Sequence, residues 1–258
     1  MNLQPKLLIY DGSFEGFLTC IFSVFDQKIA QADIQKSILA QGLLFGDSET
    51  VVTQLAQSDR VWSGLIKKAG TAGARGVYYA FLSEKPRVEN ILLCYIQGVF
   101  HNAAGYTQDF SDPTVLNVQK IIKSVGREKH RMEAFIRFRL TKDQLYFATI
   151  APDFDVLPLI AAHFIRRYAD QQWVIYDLKR QYGLFYDLHT AQFMSMELPA
   201  GFDPAQTSED FFDQAELEFQ TLWQDYFKSV TIASRKNMKL HIQHVPKRYW
   251  KYLSEKQQ

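Results

Sequence analysis

The spacing of apolar residues changes once along the chain, and that change constrains the fold more than any other feature. Phe14, Phe17, Leu18, Ile21, Phe22, Phe25 and Ile29 recur at intervals of three and four. They form one stripe of an amphipathic helix, with Ser13 placed to cap it. Val51, Val52, Leu55, Val61, Trp62, Leu65 and Ile66 repeat the pattern up to Gly70, Gly73 and Gly76, where a flexible turn is expected. Further helices are expected over residues 77–82, 89–100 and 112–129, the last with Pro113 just inside its start. From Ala134 the period becomes two. Ile136, Phe138 and Leu140 fall on one face, Phe135, Arg137 and Arg139 on the other, and residues 145–150 continue as the second arm of a hairpin.

Beyond the hairpin, residues 156–168 return to helical spacing, and strands are expected over 173–178, 183–188 and 193–198. A long helix is expected from Ser208 to about Lys228, and a short strand, residues 6–10, opens the chain. The fold class expected is α+β: a helical N-terminal part packed on an antiparallel sheet with flanking helices. The expected division is a mainly helical subdomain, 1–130, and an α+β subdomain, 131–258, with a basic C-terminal tail. A chain of 258 residues, 47% of them hydrophobic, buries roughly 70–75% of its unfolded surface and needs no staples. No basic n-region with a long apolar core opens it, and no apolar run approaches the ~18 residues of a bilayer span, so a cytoplasmic protein with no membrane partner is expected.

The formal net charge of +1 excludes a disordered polyelectrolyte but conceals strong segregation. Residues 118–140 carry seven basic and two acidic side chains, residues 203–225 seven acidic and none basic, and residues 228–251 seven basic and none acidic. Basic side chains interleaved with Tyr249 and Trp250 combine phosphate neutralisation with flat surfaces for base stacking. Two readings stand: a nucleic-acid surface, or an acidic helix that pairs with the basic tail or docks a basic partner.

Two cysteines, Cys20 and Cys94, are too few for a four-cysteine zinc site or a protein-ligated iron–sulfur cluster. His189, His241 and His244 lack metal-ligand spacing, so no metal and no cofactor are expected. P-loop, H-E-x-x-H, zinc-deaminase and G-x-S-x-G motifs do not occur. Arg127 and Arg131 stand at i and i+4, with His130 beside them, a fork suited to oxyanions; a structural salt-bridge network explains it equally well. Arg137 and Arg139, two apart on a strand, would extend the same basic face, and Asp177 is placed to pair with Arg180. Should the chain catalyse a reaction on nucleic acid, His130 or His163 would be the acid–base group, with Asp11, Glu15 or Asp177 as carboxylate partner. Capping of the first helix accounts for Asp11, Ser13 and Glu15 without any chemistry.

Several stretches carry a family resemblance: Tyr10-Asp11-Gly12-Ser13-Phe14-Glu15-Gly16; Val125-Gly126-Arg127-Glu128 with His130-Arg131-Met132; Phe135 with Arg137-Phe138; Ala151-Pro152-Asp153; His163-Phe164 with Arg167; Trp173 to Asp177; Leu222-Trp223 with Tyr226-Phe227; Arg235 with Asn237; and Pro246-Lys247-Arg248-Tyr249-Trp250. In these the chain resembles a bacterial family labelled probable DNA metabolism proteins. The resemblance implies a DNA-binding accessory protein in DNA repair or modification, partnered by a radical-SAM protein, with related domains fused to a uracil-DNA glycosylase. On that reading Arg127, Arg131, Arg137, Arg139, Arg235, Lys247 and Arg248 contact phosphates, and Tyr249 and Trp250 stack on bases.

Overall fold

A computed structural model describes residues 5–37, 48–102, 105–195 and 245–253. Helices and strands are both present and the chain is of the α+β class. It divides into two compact units, Met1–Gly126 and Arg127–Gln258. The long helix expected from Ser208 and the acidic stretch 203–225 lie outside the described residues, as do Arg235, His241 and His244.

The first unit is built on β1 (Lys6–Tyr10), α1 (Phe14–Asp26), β2 (Ala32–Lys36), β3 (Ser48–Thr50), α2 (Leu55–Phe81) and α3 (Val88–His101). It is not purely helical. Its three strands form a parallel sheet in the order β2-β1-β3, with Leu8 opposite both Ile34 and Glu49. The period-two signal is weak there because β2 is polar apart from Ile34, and β3 is only three residues long. Leu8, Tyr10 and Ile34 are buried together with the α1 stripe. Phe17 stacks on Phe81 with centroids 5.5 Å apart, and Phe14 meets Trp62 and Tyr78 edge-on.

The glycine-rich turn expected at residues 70–76 is instead a kink inside α2. Gly70 alone leaves helical geometry, at φ +72°, a conformation that glycine adopts without strain. Gly73 and Gly76 stay helical, and Gly76 lets Ile122 approach so closely that a Cβ would lie 2.9 Å from its Cδ1. The helical segment after the kink buries Ala74, Val77, Ala80 and Phe81, which outweighs the poor helix propensity of Gly73 and Gly76.

Next comes α4 (Pro113–Phe135), with Pro113 as its first residue. The Asp112 carboxylate accepts the N–H groups of Thr114 and Val115. It runs six residues past the expected end at Lys129, because Val125 and Met132 keep a buried stripe at helical spacing. The expected hairpin is correspondingly short. Only β4 (Arg139–Leu140) remains of its first arm, antiparallel to β5 (Tyr146–Ile150).

The second unit contains α5 (Leu157–Arg167), β6 (Trp173–Asp177), β7 (Tyr182–Tyr186) and β8 (Ala191–Met194) in a five-stranded sheet, β4-β5-β6-β7-β8. The sheet is mixed rather than wholly antiparallel. β5 and β6 run parallel because α5 connects them as a crossover; tight turns make the later pairs antiparallel. Trp173 and Ile175 are buried on one face of it, where Phe164 of α5 meets Trp173, and Phe147, Val174 and Tyr176 pack together on the other. A short 3-10 segment, Lys247–Tyr252, brings the C-terminal basic stretch into this unit. Among the described residues, no helix is long and apolar enough to cross a membrane.

Candidate anion-binding surface around Glu128

Glu128 is a charged group taken out of water, and everything around it answers that cost. On α4 it faces inward between Val125 and Met132, and its side chain is 2% exposed. A carboxylate in that position must be both paired and hydrogen-bonded. Oε1 accepts the Tyr249 hydroxyl at 2.6 Å and the Asp153 backbone N–H at 2.9 Å. Oε2 accepts the Arg248 guanidinium at 3.1 Å, and the Arg131 guanidinium approaches the same oxygen at 3.7 Å. Residues from α4, the β5–α5 loop and the C-terminal segment therefore meet on one buried charge.

Arg248 divides its fork. One nitrogen serves Glu128 and Tyr249, while the other pairs with the Asp153 carboxylate at 2.7 Å. Burial pulls the guanidinium pKa down, but the Tyr249 hydroxyl and the Glu128 and Asp153 carboxylates outweigh it and raise it. Tyr249 is pushed well above the ordinary phenol range by burial and by the Glu128 carboxylate it donates to, so it stays a donor. The Asp153 carbonyl in turn accepts Lys179 Nζ at 3.0 Å and Arg180 at 3.3 Å. A continuous strip of basic side chains thus runs from Arg131 through Arg248 to Lys179.

The expected phosphate and base contacts divide in the structure. Arg127 and Arg131 lie one turn apart on α4, Arg127 exposed and Arg131 partly so. Lys247 and Arg248 are exposed, and Trp250 is half-buried with its indole N–H donating to the Val245 carbonyl. Tyr249 does not offer a stacking face: its ring is buried against Phe135 and its hydroxyl is held by Glu128. Arg139 is also buried, and Arg137 donates to the carbonyls of Ala134 and Ile136 at the end of α4. The two do not extend one basic face, because Arg137 falls in the irregular link between α4 and β4 while Arg139 is buried in β4. Arg235 lies outside the described residues.

Within the second unit, the candidate acid–base groups have partners other than one another. Asp177 is fully buried and consumed by the β6–β7 turn: it accepts the backbone N–H groups of Lys179 and Arg180 and the Arg180 guanidinium at 2.8 Å. His130 and His163 instead flank Glu133, with Nδ1 at 4.0 and 3.8 Å from its two oxygens, and Lys129 pairs with the same carboxylate. His130 is 86% exposed. Glu128 and Glu133 are the two acids of the basic block 118–140, and they form the salt-bridge network that the sequence also allows; Glu133 shares a helical face with His130 by its i+3 spacing. Asp153 has no sequence signal beyond its place in a resembling stretch. Among the described residues, no group of three or more His, Cys, Asp or Glu is placed to hold a metal ion.

In the first unit, Asp11 and Glu15 sit at the start of α1. Glu15 is exposed in the first turn, and Asp11 accepts the Ser13 N–H, the Ser13 hydroxyl and the Thr53 hydroxyl at 2.9, 2.6 and 2.7 Å. Gly16 permits this knot, since a Cβ there would lie 2.4 Å from Asp11 Oδ1. Burial raises the Asp11 pKa, but the hydrogen bonds from Ser13 and Thr53 outweigh it and hold the carboxyl below the ordinary range. A depressed folded value means Asp11 stabilises the fold fully above its unfolded pKa, and this is lost as pH falls through the folded value. Asp11→Asn is therefore expected to lower stability at neutral pH by about 0.3–1 kcal/mol. The gap from wild type should close as pH drops below about 4, read from urea midpoints across pH; a gap constant with pH would contradict this.

Comparison with known proteins gives two matches. A family model described as a domain of unknown function, DUF4130, matches residues 86–255. No curated protein matches the chain. Among solved structures, the pGpG-specific phosphodiesterase PggH from Vibrio cholerae is 9% identical, with a TM-score of 0.37, covering 70% of this chain and 80% of its own. A likeness that distant carries no argument about chemistry.

Proposed function

We propose, for a chain that belongs to the family described as a domain of unknown function, DUF4130, a DNA-binding accessory role in DNA repair or modification, exercised alongside a radical-SAM partner. One observation carries the DNA-binding part: two guanidinium groups, Arg131 and Arg248, converge on a single buried carboxylate oxygen and remain 30% and 44% exposed. Glu128 fixes where they stand, and with Asp153 on the outer nitrogen of Arg248 the two guanidiniums are balanced by two carboxylates, of which only Glu128 is buried. Both forks are thus held oriented at a partly exposed surface, the arrangement that suits a phosphodiester, and the excess positive charge comes from the neighbouring lysines. Lys179 and Lys247 are exposed and add the positive charge, and the half-buried Trp250, with Lys247 Nζ 5.9 Å from its ring centre, is the aromatic proposed to meet a base. The partner is inferred from the family resemblance, and any cluster chemistry would belong to it.

The expected result is salt-sensitive binding of labelled DNA. Raising salt from about 50 to about 200 mM should weaken binding at least tenfold, since each phosphate contact releases counterions. Replacing Arg131 and Lys247 together by alanine should lower the slope of log affinity against log salt by about two. Fluorescence anisotropy with single- and double-stranded oligonucleotides measures both. Absence of binding by the folded protein would overturn the reading.

A further inference from the structure

We infer that the Asp153 carboxylate is a built-in occupant of the Arg248 fork, which nucleic-acid phosphate displaces on binding. The inference rests on the DNA-binding reading above and adds how access to that surface is regulated.

The backbone and the side chain of Asp153 have separate duties. Its N–H is donated to Glu128 Oε1 at 2.9 Å, and its carbonyl accepts Lys179 Nζ and the Arg180 guanidinium. The peptide is thus fixed from both sides by groups that do not involve the carboxylate. The side chain is 50% exposed and holds the outer nitrogen of Arg248 at 2.7 Å. The inner nitrogen is anchored to Glu128, whose side chain is only 2% exposed. Arg248 is therefore secured at its buried edge and covered at its solvent edge by a movable anion.

The energetic consequence follows from this asymmetry. A half-exposed ion pair is weak and screened by solvent, so a phosphate oxygen can replace it, whereas the pair with the buried Glu128 carboxylate persists. Asp153 also places a negative charge where the phosphate must arrive. It lowers the affinity for any polyanion and removes from the free protein one of the contacts that would otherwise bind nucleic acid indiscriminately.

Anisotropy titration of the full chain with a labelled single-stranded oligonucleotide, at about 50 and about 200 mM salt, separates the possibilities. Asp153→Asn should bind roughly threefold to fivefold more tightly than wild type at the lower salt, with the salt slope steeper by about one. The gain should vanish in Asp153→Asn combined with Arg248→Ala. Asp153→Ser serves as a second variant, and thermal melts report that each remains folded. Binding by wild type with affinity unchanged or weakened in both Asp153 variants would overturn the displacement while leaving the DNA reading intact. No binding by wild type or by either variant would remove the reading itself, and the displacement with it.

Discussion

Glu128→Ala should destabilise the second unit by about 3–5 kcal/mol, one of the two largest effects expected of a single substitution in this chain. The carboxylate is not a strong attraction that is merely lost. Its removal strands the Tyr249 hydroxyl, which is buried, and the inner edge of Arg248, each of which was desolvated to meet it. A buried donor without an acceptor costs about 1–3 kcal/mol, more when charged, and the Asp153 N–H loses its partner as well. Thermal melts should show the transition lowered by on the order of 10 °C. Combining Glu128→Ala with Tyr249→Phe should recover part of the loss, because one stranded group disappears; strict additivity would mean that the two do not act through each other.

The same variant separates positioning from bulk charge. If the basic strip acted only by its net charge, deleting a carboxylate would strengthen DNA binding. Here Glu128 is what holds Arg248 and the segment around it in place, so Glu128→Ala should weaken binding, whereas removing the neighbouring acid in Asp153→Asn strengthens it. Two carboxylates on the same arginine, one buried and one half-exposed, are thus expected to give opposite signs. A melting temperature of Glu128→Ala within about 2 °C of wild type, or tighter DNA binding, would rule out the positioning role.

How much of this was legible in the sequence depends on the distance between partners. Helices with a long apolar stripe were readable: α1 with its Ser13 cap, and α4 with Pro113 at its first position. Strands β6 and β7 were readable as β-branched and aromatic runs. β2 was not, because a polar strand held mainly by backbone pairing to β1 has almost no side-chain signature. Residues 134–140 mimic one alternating strand, because a helix that ends at Phe135 and a two-residue strand together give an apparent period of two. The same false period aligns Arg137 with Arg139, which the structure separates. The role of Tyr249 was hidden differently: tyrosine suits both an exposed stacking surface and a buried donor, and the acceptor that decides between them is 121 residues away. The family-resembling stretches around Glu128, Asp153 and Arg248 were visible one by one, but only the fold brings them together.

Trp173→Ala is the second substitution expected to cost about 3–5 kcal/mol, and it acts by an unrelated mechanism. Trp173 opens β6, a central strand of the five-stranded sheet, and has no solvent exposure. Its ring stacks on Tyr186 at 5.4 Å and meets Phe138 and Phe164 at 5.9 and 6.2 Å, so β7, α5 and the link before β4 lose contact area at once. The indole N–H also donates to the Tyr168 carbonyl at 3.3 Å, at the end of the α5 crossover. The cavity left by alanine cannot close readily, because β6 is hydrogen-bonded to β5 on one side and to β7 on the other. Trp173→Phe keeps an aromatic ring in the site and loses the donor and part of the ring volume, so it should cost less than alanine, about 1–2 kcal/mol. Chemical denaturation of the three proteins checks the order. At temperatures where it is folded, Trp173→Phe should bind DNA as wild type does, since the basic strip hangs on Glu128 and not on the aromatic core. Equal destabilisation by alanine and phenylalanine would mean that the hydrogen bond, rather than the packing, holds this end of the sheet.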